Sequence, residues 1–126
     1  MKKILTIGLS FLMGLSINLV HAEEELLEPD KAFAMSAQMK DANTIQATWN
    51  VADGYYLYKS KFKFTTDTAG VQLGEPVFPK GKIKDDEFFG KVEIFRKTIT
   101  VDIPVTRNDA SVSNFVLKTV SQGCAD

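Results

Sequence analysis

Residues 32–51 read AFAMSAQMKDANTIQATWNV. Phe33, Met35, Ala37 and Met39 alternate with polar or small residues, Asp41 to Asn43 supplies turn chemistry, and Ile45, Ala47, Trp49 and Val51 repeat the alternation more cleanly. Side chains two apart on an extended chain share a face, so the stretch predicts a β-hairpin with an apolar side.

The same grammar extends outward. Asp53-Gly54 marks a turn, after which Tyr55 to Phe64 reads as one strand with Tyr56, Tyr58, Ser60, Phe62 and Phe64 on one face. Val71 to Leu73 and Val77-Phe78 are short apolar pieces broken by Gly74, Pro76 and Pro79, which suits edge strands or irregular crossings. Lys80 to Asp86 reads as a charged loop. Val92 to Arg96 and Thr98 to Ile103 read as strands, the second ended or pushed to an edge by Pro104. After a turn at Asn108-Asp109, the run SNFVLKTVSQGCAD (Ser113 to Asp126) has strand character up to Val120, and Gly123 breaks it before Cys124. The sole cysteine is therefore expected where a strand opens into a loop. On the other side, Glu23 to Asp30 is expected to be irregular, with Pro29 discouraging a helix. About seven short strands without helical periodicity predict an all-β chain, an immunoglobulin-like antiparallel sandwich. A partly open barrel is the alternative.

Met1 to Ala22 has the pattern of an export signal: Lys2 and Lys3, a mostly apolar stretch from Ile4 to Val20, and small residues before a cut after Ala22. Gly8, Ser10, Gly14, Ser16 and Asn18 weaken it as a span, which needs about 20 strongly apolar residues. Residues 23–126 then form one small domain of 104 residues with 13 Lys/Arg, 16 Asp/Glu and net charge −3. That balance, without a basic stripe read in the sequence, argues against nucleic acid as a partner. His21 leaves with the signal, so a Ser-His-Asp triad, a Cys-His pair and a histidine metal site are all excluded from the mature chain. No cofactor is expected, and one thiol without histidine makes a poor metal site.

Three groups are candidates for chemistry, each with a plainer reading. Cys124 is either a small buried hydrophobe or, in an oxidising compartment, a thiol that pairs or reacts. Phe88-Phe89 in the acidic stretch DDEFFG is either one core anchor beside a surface ring or a loop that covers something reactive. Tyr55, Tyr56 and Tyr58 are either sandwich core or part of a site.

Together DGYYLYKSKFKF (Asp53 to Phe64), DDEFFGKVEIFR (Asp85 to Arg96) and VSQGCAD (Val120 to Asp126) resemble the periplasmic N-terminal domain of the thiol:disulfide interchange protein DsbD. The resemblance implies an immunoglobulin-like fold at the periplasmic side of the bacterial inner membrane, in a membrane-embedded parent. It further implies electron transfer from a membrane domain to oxidised thioredoxin-like proteins of the disulfide isomerase and cytochrome c maturation types, with the parent's own thioredoxin-like domain as a further partner. Cys124 would match the first of two redox cysteines, the resolving one. Asp86, Glu87, Phe88, Phe89 and Gly90 would form a cap loop over it, and Tyr56 and Tyr58 would line the site. Asp86 and Glu87 near the sulfur would disfavour a thiolate. The family pattern continues beyond the aspartate to a second cysteine and a closing strand, which the 126 residues do not contain, so the sequence as it stands is expected to lack that strand and normal turnover. The competing function is a secreted β-sandwich protein-binding module in which Cys124 is incidental.

Overall fold

The computed structural model describes residues 25–126; the expected export signal lies outside the described residues. The predicted hairpin is present as β1 (Phe33–Asp41) and β2 (Thr44–Val51), paired antiparallel with Met35 opposite Trp49 and Ala37 opposite Ala47. Asp41 Oδ1 accepts from the Asn43 amide at 2.9 Å, which fixes the turn. The remaining elements are β3 (Tyr55–Tyr58), a 3₁₀ turn (Lys59–Lys61), β4 (Lys63–Thr65), β5 (Val71–Leu73), β6 (Lys82–Asp86), β7 (Gly90–Phe95), β8 (Thr98–Arg107), β9 (Lys118–Val120) and β10 (Gly123–Ala125).

Two four-stranded sheets form the sandwich, in the orders β1-β2-β8-β5 and β10-β3-β7-β6, with β4 and β9 pairing as a small third sheet. The core follows from register. Ile45, Ala47 and Trp49 of β2 face Ile103, Val101 and Ile99 of β8, and all six are buried. Leu57 and Phe95, cross-strand partners in the second sheet, close the core from the other side. Trp49 stands edge-on to Phe62 at 4.9 Å between ring centres, and Phe62 continues to Phe78 and Phe95. β1 contributes less than its alternation predicts: Phe33 is half-buried, whereas Met35 and Met39 are exposed because β1 is the edge of its sheet.

Several sequence-based expectations are corrected. Tyr55 to Phe64 is not one strand, since the Phe62 amide donates to the Lys59 carbonyl and closes a 3₁₀ turn. The turn changes the phase, so Phe62 and Phe64 pack on the core while Tyr56 and Tyr58 belong to a separate cluster. Lys80 to Asp86 is a strand from Lys82 onward; its charges disguise an edge strand, where lysine is common. β8 runs through Pro104 to Arg107, because Pro104 sits where the ladder with β5 gives way to one bond, from Gly74 N to the Pro104 carbonyl at 2.8 Å. Pro29 starts a one-turn helix, α1 (Pro29–Ala32), at a position where no intrahelical N–H is needed. Ser113 to Leu117 is irregular, and Cys124 lies within β10 rather than in a loop.

Trp49 is buried and links the first sheet to the aromatic layer through Phe62 and Phe64. Trp49→Ala should lower unfolding stability by about 3–5 kcal/mol, read as a fall in urea midpoint with the slope retained; a loss below about 1 kcal/mol would mean that this ring does not link the layers.

Candidate functional site

The second sheet has two working faces. Leu57 and Phe95 point into the core, so Tyr56 and Tyr58, one position away in β3, point outward. Across the strands, Tyr58 faces Ile94, Ile94 faces Lys82, Val92 faces Lys84, and Gly90 faces Asp86. On the opposite flank of β3, Cys124 pairs with Tyr56. Register therefore brings Cys124, Tyr56, Tyr58, Val92, Ile94 and Asp86 to one outer face. Cys124 is a free, half-buried thiol packed against the cluster of Tyr56, Tyr58 and Ile94.

β10 is short, and its place depends on close approach and clamps. A side chain at Gly123 would meet the Tyr56 carbonyl and Phe33 Cε1, each at 2.6 Å, so only glycine fits between Phe33 and β3. The Tyr58 amide donates to the Gln122 carbonyl at 3.0 Å and the Asp126 amide to the Gly54 carbonyl at 2.8 Å. Arg96 forks onto both carboxylate oxygens of Asp126 at 2.9 Å, and its guanidinium lies 5.1 Å from the centre of the Tyr56 ring.

Asp86 is the one buried charged residue among the described residues, 5% exposed. Its Oδ1 accepts from Tyr56 Oη at 2.8 Å and Tyr58 Oη at 2.9 Å, and its Oδ2 accepts from the amides of Phe88 at 2.8 Å and Phe89 at 2.9 Å. Burial alone would raise the pKa of this carboxyl, but the four donors outweigh it and hold the pKa below the ordinary carboxylate value. Burial pushes both phenols up, Tyr58 to about 12, with the hydrogen bonds to Asp86 and the nearby Cys124 thiol adding to the push. Both tyrosines are therefore neutral donors, and the thiol faces hydroxyls and aromatic rings.

Glu87, Phe88 and Phe89 make a three-residue loop between β6 and β7, closed by Gly90 at φ 75°, a conformation that suits glycine. Phe89 is the ring that reaches the site, edge-on to Tyr58 at 5.1 Å and under Lys61 Nζ at 4.7 Å. Phe88 is 68% exposed and Glu87 is exposed as well. Tyr55 stands apart: it accepts from the Leu27 amide and packs edge-on to Phe33. Of the residues singled out in the sequence, Cys124, Tyr56, Tyr58, Asp86 and Phe89 come together. The sequence reading missed Val92, Ile94 and the Arg96–Asp126 clamp; alternation through Val92, Ile94 and Arg96 was the signal that could have found them.

The two packed sheets define an immunoglobulin-like domain, one that carries a half-buried thiol on its outer sheet face among tyrosines and a loop tied by a buried carboxylate. The profile of the family described as thiol:disulfide interchange protein DsbD, N-terminal, matches residues 23–126. The chain belongs to that family. It is 40% identical over 97 residues to the DsbD of Klebsiella pneumoniae, covering 77% of this chain and 15% of that protein. It is 34% identical over 126 residues to the DsbD of Neisseria meningitidis, covering all of this chain and 20% of that protein. The chain thus spans about a fifth or less of these curated relatives. Among solved structures, the reduced N. meningitidis DsbD N-terminal domain aligns with TM-score 0.65 and 34% identity, over 79% of this chain and 77% of that one. The DsbD N-terminal domain solved in complex with the PilB N-terminal domain of the same organism aligns with TM-score 0.65 and 33% identity, over 82% and 77%.

Because the folded Asp86 pKa lies below the unfolded value of about 3.9, its contribution to stability is present above that value and is lost as pH falls through the lower folded pKa. Asp86→Asn should therefore be less stable than the parent near neutrality, with the gap closing as pH drops below about 4. Thermal unfolding across that range checks it, and a gap that stays constant would contradict the carboxylate's role. Gly123→Ala should detach β10 and raise the rate of Cys124 alkylation by iodoacetamide; an unchanged rate would mean that the strand is held without the close approach.

Proposed function

We propose that the domain performs thiol-disulfide exchange through Cys124 as part of a periplasmic protein-disulfide reductase. The observation that supports this reading best is the position of the sulfur, free and half-buried on an outer sheet face against Tyr56 and Tyr58 rather than sealed in the core. A thiol that packs only for volume would lie among Leu57, Phe95 and Val101.

In the exchange step, the Cys124 thiol loses its proton and attacks one sulfur of a partner disulfide. That S–S bond breaks, a new one forms to Cys124, and the departing partner thiolate takes up a proton. The 126 residues hold one cysteine, so release of the mixed disulfide requires a second thiol from elsewhere, and two-electron turnover by these residues alone does not follow. The partners proposed are thioredoxin-like periplasmic proteins of the isomerase and cytochrome c maturation types, together with the parent's own thioredoxin-like domain. The solved complex of a related domain with the PilB N-terminal domain supports a protein partner. Export by the leader, cut after Ala22, would place residues 23–126 on the periplasmic side of a membrane-embedded parent.

The loop from Asp86 to Gly90 acts here as a cap. Phe89 leans on Tyr58, and hydrogen bonds from two backbone amides to Asp86 hold the tip; breaking that small anchor would let the loop move aside for a partner. Such shielding limits oxidation of the thiol by small molecules while leaving it open to a docked protein.

With an excess of a thioredoxin-like protein that keeps one of its two site cysteines, activated as the 2-pyridyl disulfide, and no added thiol, residues 23–126 should form one covalent adduct per chain, at Cys124, with one thiopyridone released, and then stop. Mass spectrometry and the Cys124→Ser variant check this. Partner binding that is noncovalent and unchanged in Cys124→Ser would instead indicate a binding module, and repeated turnover without added thiol would contradict the single-adduct account.

A further inference from the structure

Charge is distributed very unevenly along this acidic chain. Residues 55–63 and 80–97 hold nine Lys/Arg against four Asp/Glu, while the rest of residues 23–126 holds four against twelve. These two basic segments supply the 3₁₀ turn together with β3, β6 and β7, the strands that form one sheet with the thiol strand β10.

Register decides where the cations go. Lys82 and Lys84 alternate with Ile83 and Asp85, and they face Ile94 and Val92, so they share the outer face with Cys124, Tyr56 and Tyr58. Lys84 Nζ lies 5.2 Å from the Tyr56 ring centre, and Lys61 Nζ lies 4.7 Å over Phe89 from the 3₁₀ turn. Two carboxylates on this face are already engaged, Asp86 buried under four donors and Asp126 forked by Arg96, which leaves Glu87 of the loop as the one exposed acid beside the three lysines. None of the ion pairs among the described residues includes Lys61, Lys82 or Lys84.

We propose that Lys61, Lys82 and Lys84 form a cationic collar along the β6 side of the Cys124 site that selects partner proteins whose disulfide is rimmed by acidic residues. The inference rests on the exchange reading above and adds the electrostatic class of its partner. Unpaired ammonium groups around a site attract an opposite surface through the field they share, accelerating encounter about tenfold or more at low salt. An anionic membrane would also be attracted, but the lysines share their sheet face with a thiol and lie near the exposed rings of Phe88 and Phe89, which fit a protein disulfide.

The test uses two short peptides, one with glutamates and one with lysines flanking a cysteine capped as its 2-pyridyl disulfide. Attack by Cys124 joins its sulfur to the peptide sulfur and expels the pyridine thiolate, which is protonated and read as thiopyridone. The acidic peptide should react about tenfold faster near 0.01 M ionic strength, where the screening length is about 30 Å, and this preference should shrink at about 0.15 M. In the triple variant Lys61→Gln, Lys82→Gln, Lys84→Gln, the ratio of acidic to basic rates should fall toward one. A general change in thiol reactivity moves both rates and leaves the ratio, so the ratio isolates the collar. Equal rates for the two peptides in the parent would overturn the proposal, as would a preference that survives in the triple variant. Vesicles of anionic lipid that bind the domain while the peptides react equally would overturn it too, in favour of a membrane contact. If neither peptide reacts, the exchange reading fails. The collar is then judged on cysteine-free peptides, where equal binding of the acidic and basic forms to the parent domain would overturn it.

Discussion

Asp86 ties together parts of the molecule that the hydrophobic core does not reach. One oxygen takes both tyrosyl hydroxyls and the other takes two amides of the neighbouring loop. A buried carboxylate with even one missing donor would be costly. Full satisfaction therefore fixes the tyrosine rings, the loop tip and the end of β6 relative to one another. The Cys124 thiol inherits its surroundings from that arrangement, because Tyr56 is its cross-strand partner.

The sandwich explains why such a site can exist on so small a domain. Stability comes from the facing rows of β2 and β8 and from the aromatic layer of Trp49, Phe62, Phe78 and Phe95. The outer face of the second sheet is spared that duty. It can carry polar groups, a thiol and cations without opening the core, and its residues share position only through strand register. The loop between β6 and β7 is anchored by two hydrogen bonds, one edge-on ring contact and the Lys61 ammonium over Phe89. Anchors so few are compatible with a loop that opens while the sheets stay intact.

Much of this was legible in the sequence where one physical rule acted alone. Alternation in Phe33 to Val51 gave the hairpin, and the resemblance gathered Cys124, Tyr56, Tyr58 and Asp86 before any coordinates did. Failures came where rules competed. Charge concealed β6, since Lys82, Lys84 and Asp86 look like a loop until their pairing with β7 is known. The 3₁₀ turn reversed the apparent common face of Tyr56 and Phe62, and three residues of local geometry leave little trace in composition. The resemblance places Asp86 near the sulfur, but that its oxygens turn to two tyrosines and two amides depends on distances no sequence spacing supplies.

The central claim is that one ionised carboxylate holds the loop to the tyrosines beside the thiol. Amide hydrogen exchange at Phe88 and Phe89, followed by NMR at a pH well above 4, tests it most directly. The account predicts protection at both amides, lost in Asp86→Ala while the amides of β2 and β8 remain protected. Rapid exchange at Phe88 and Phe89 in the parent domain, or protection that persists in the variant, would contradict it.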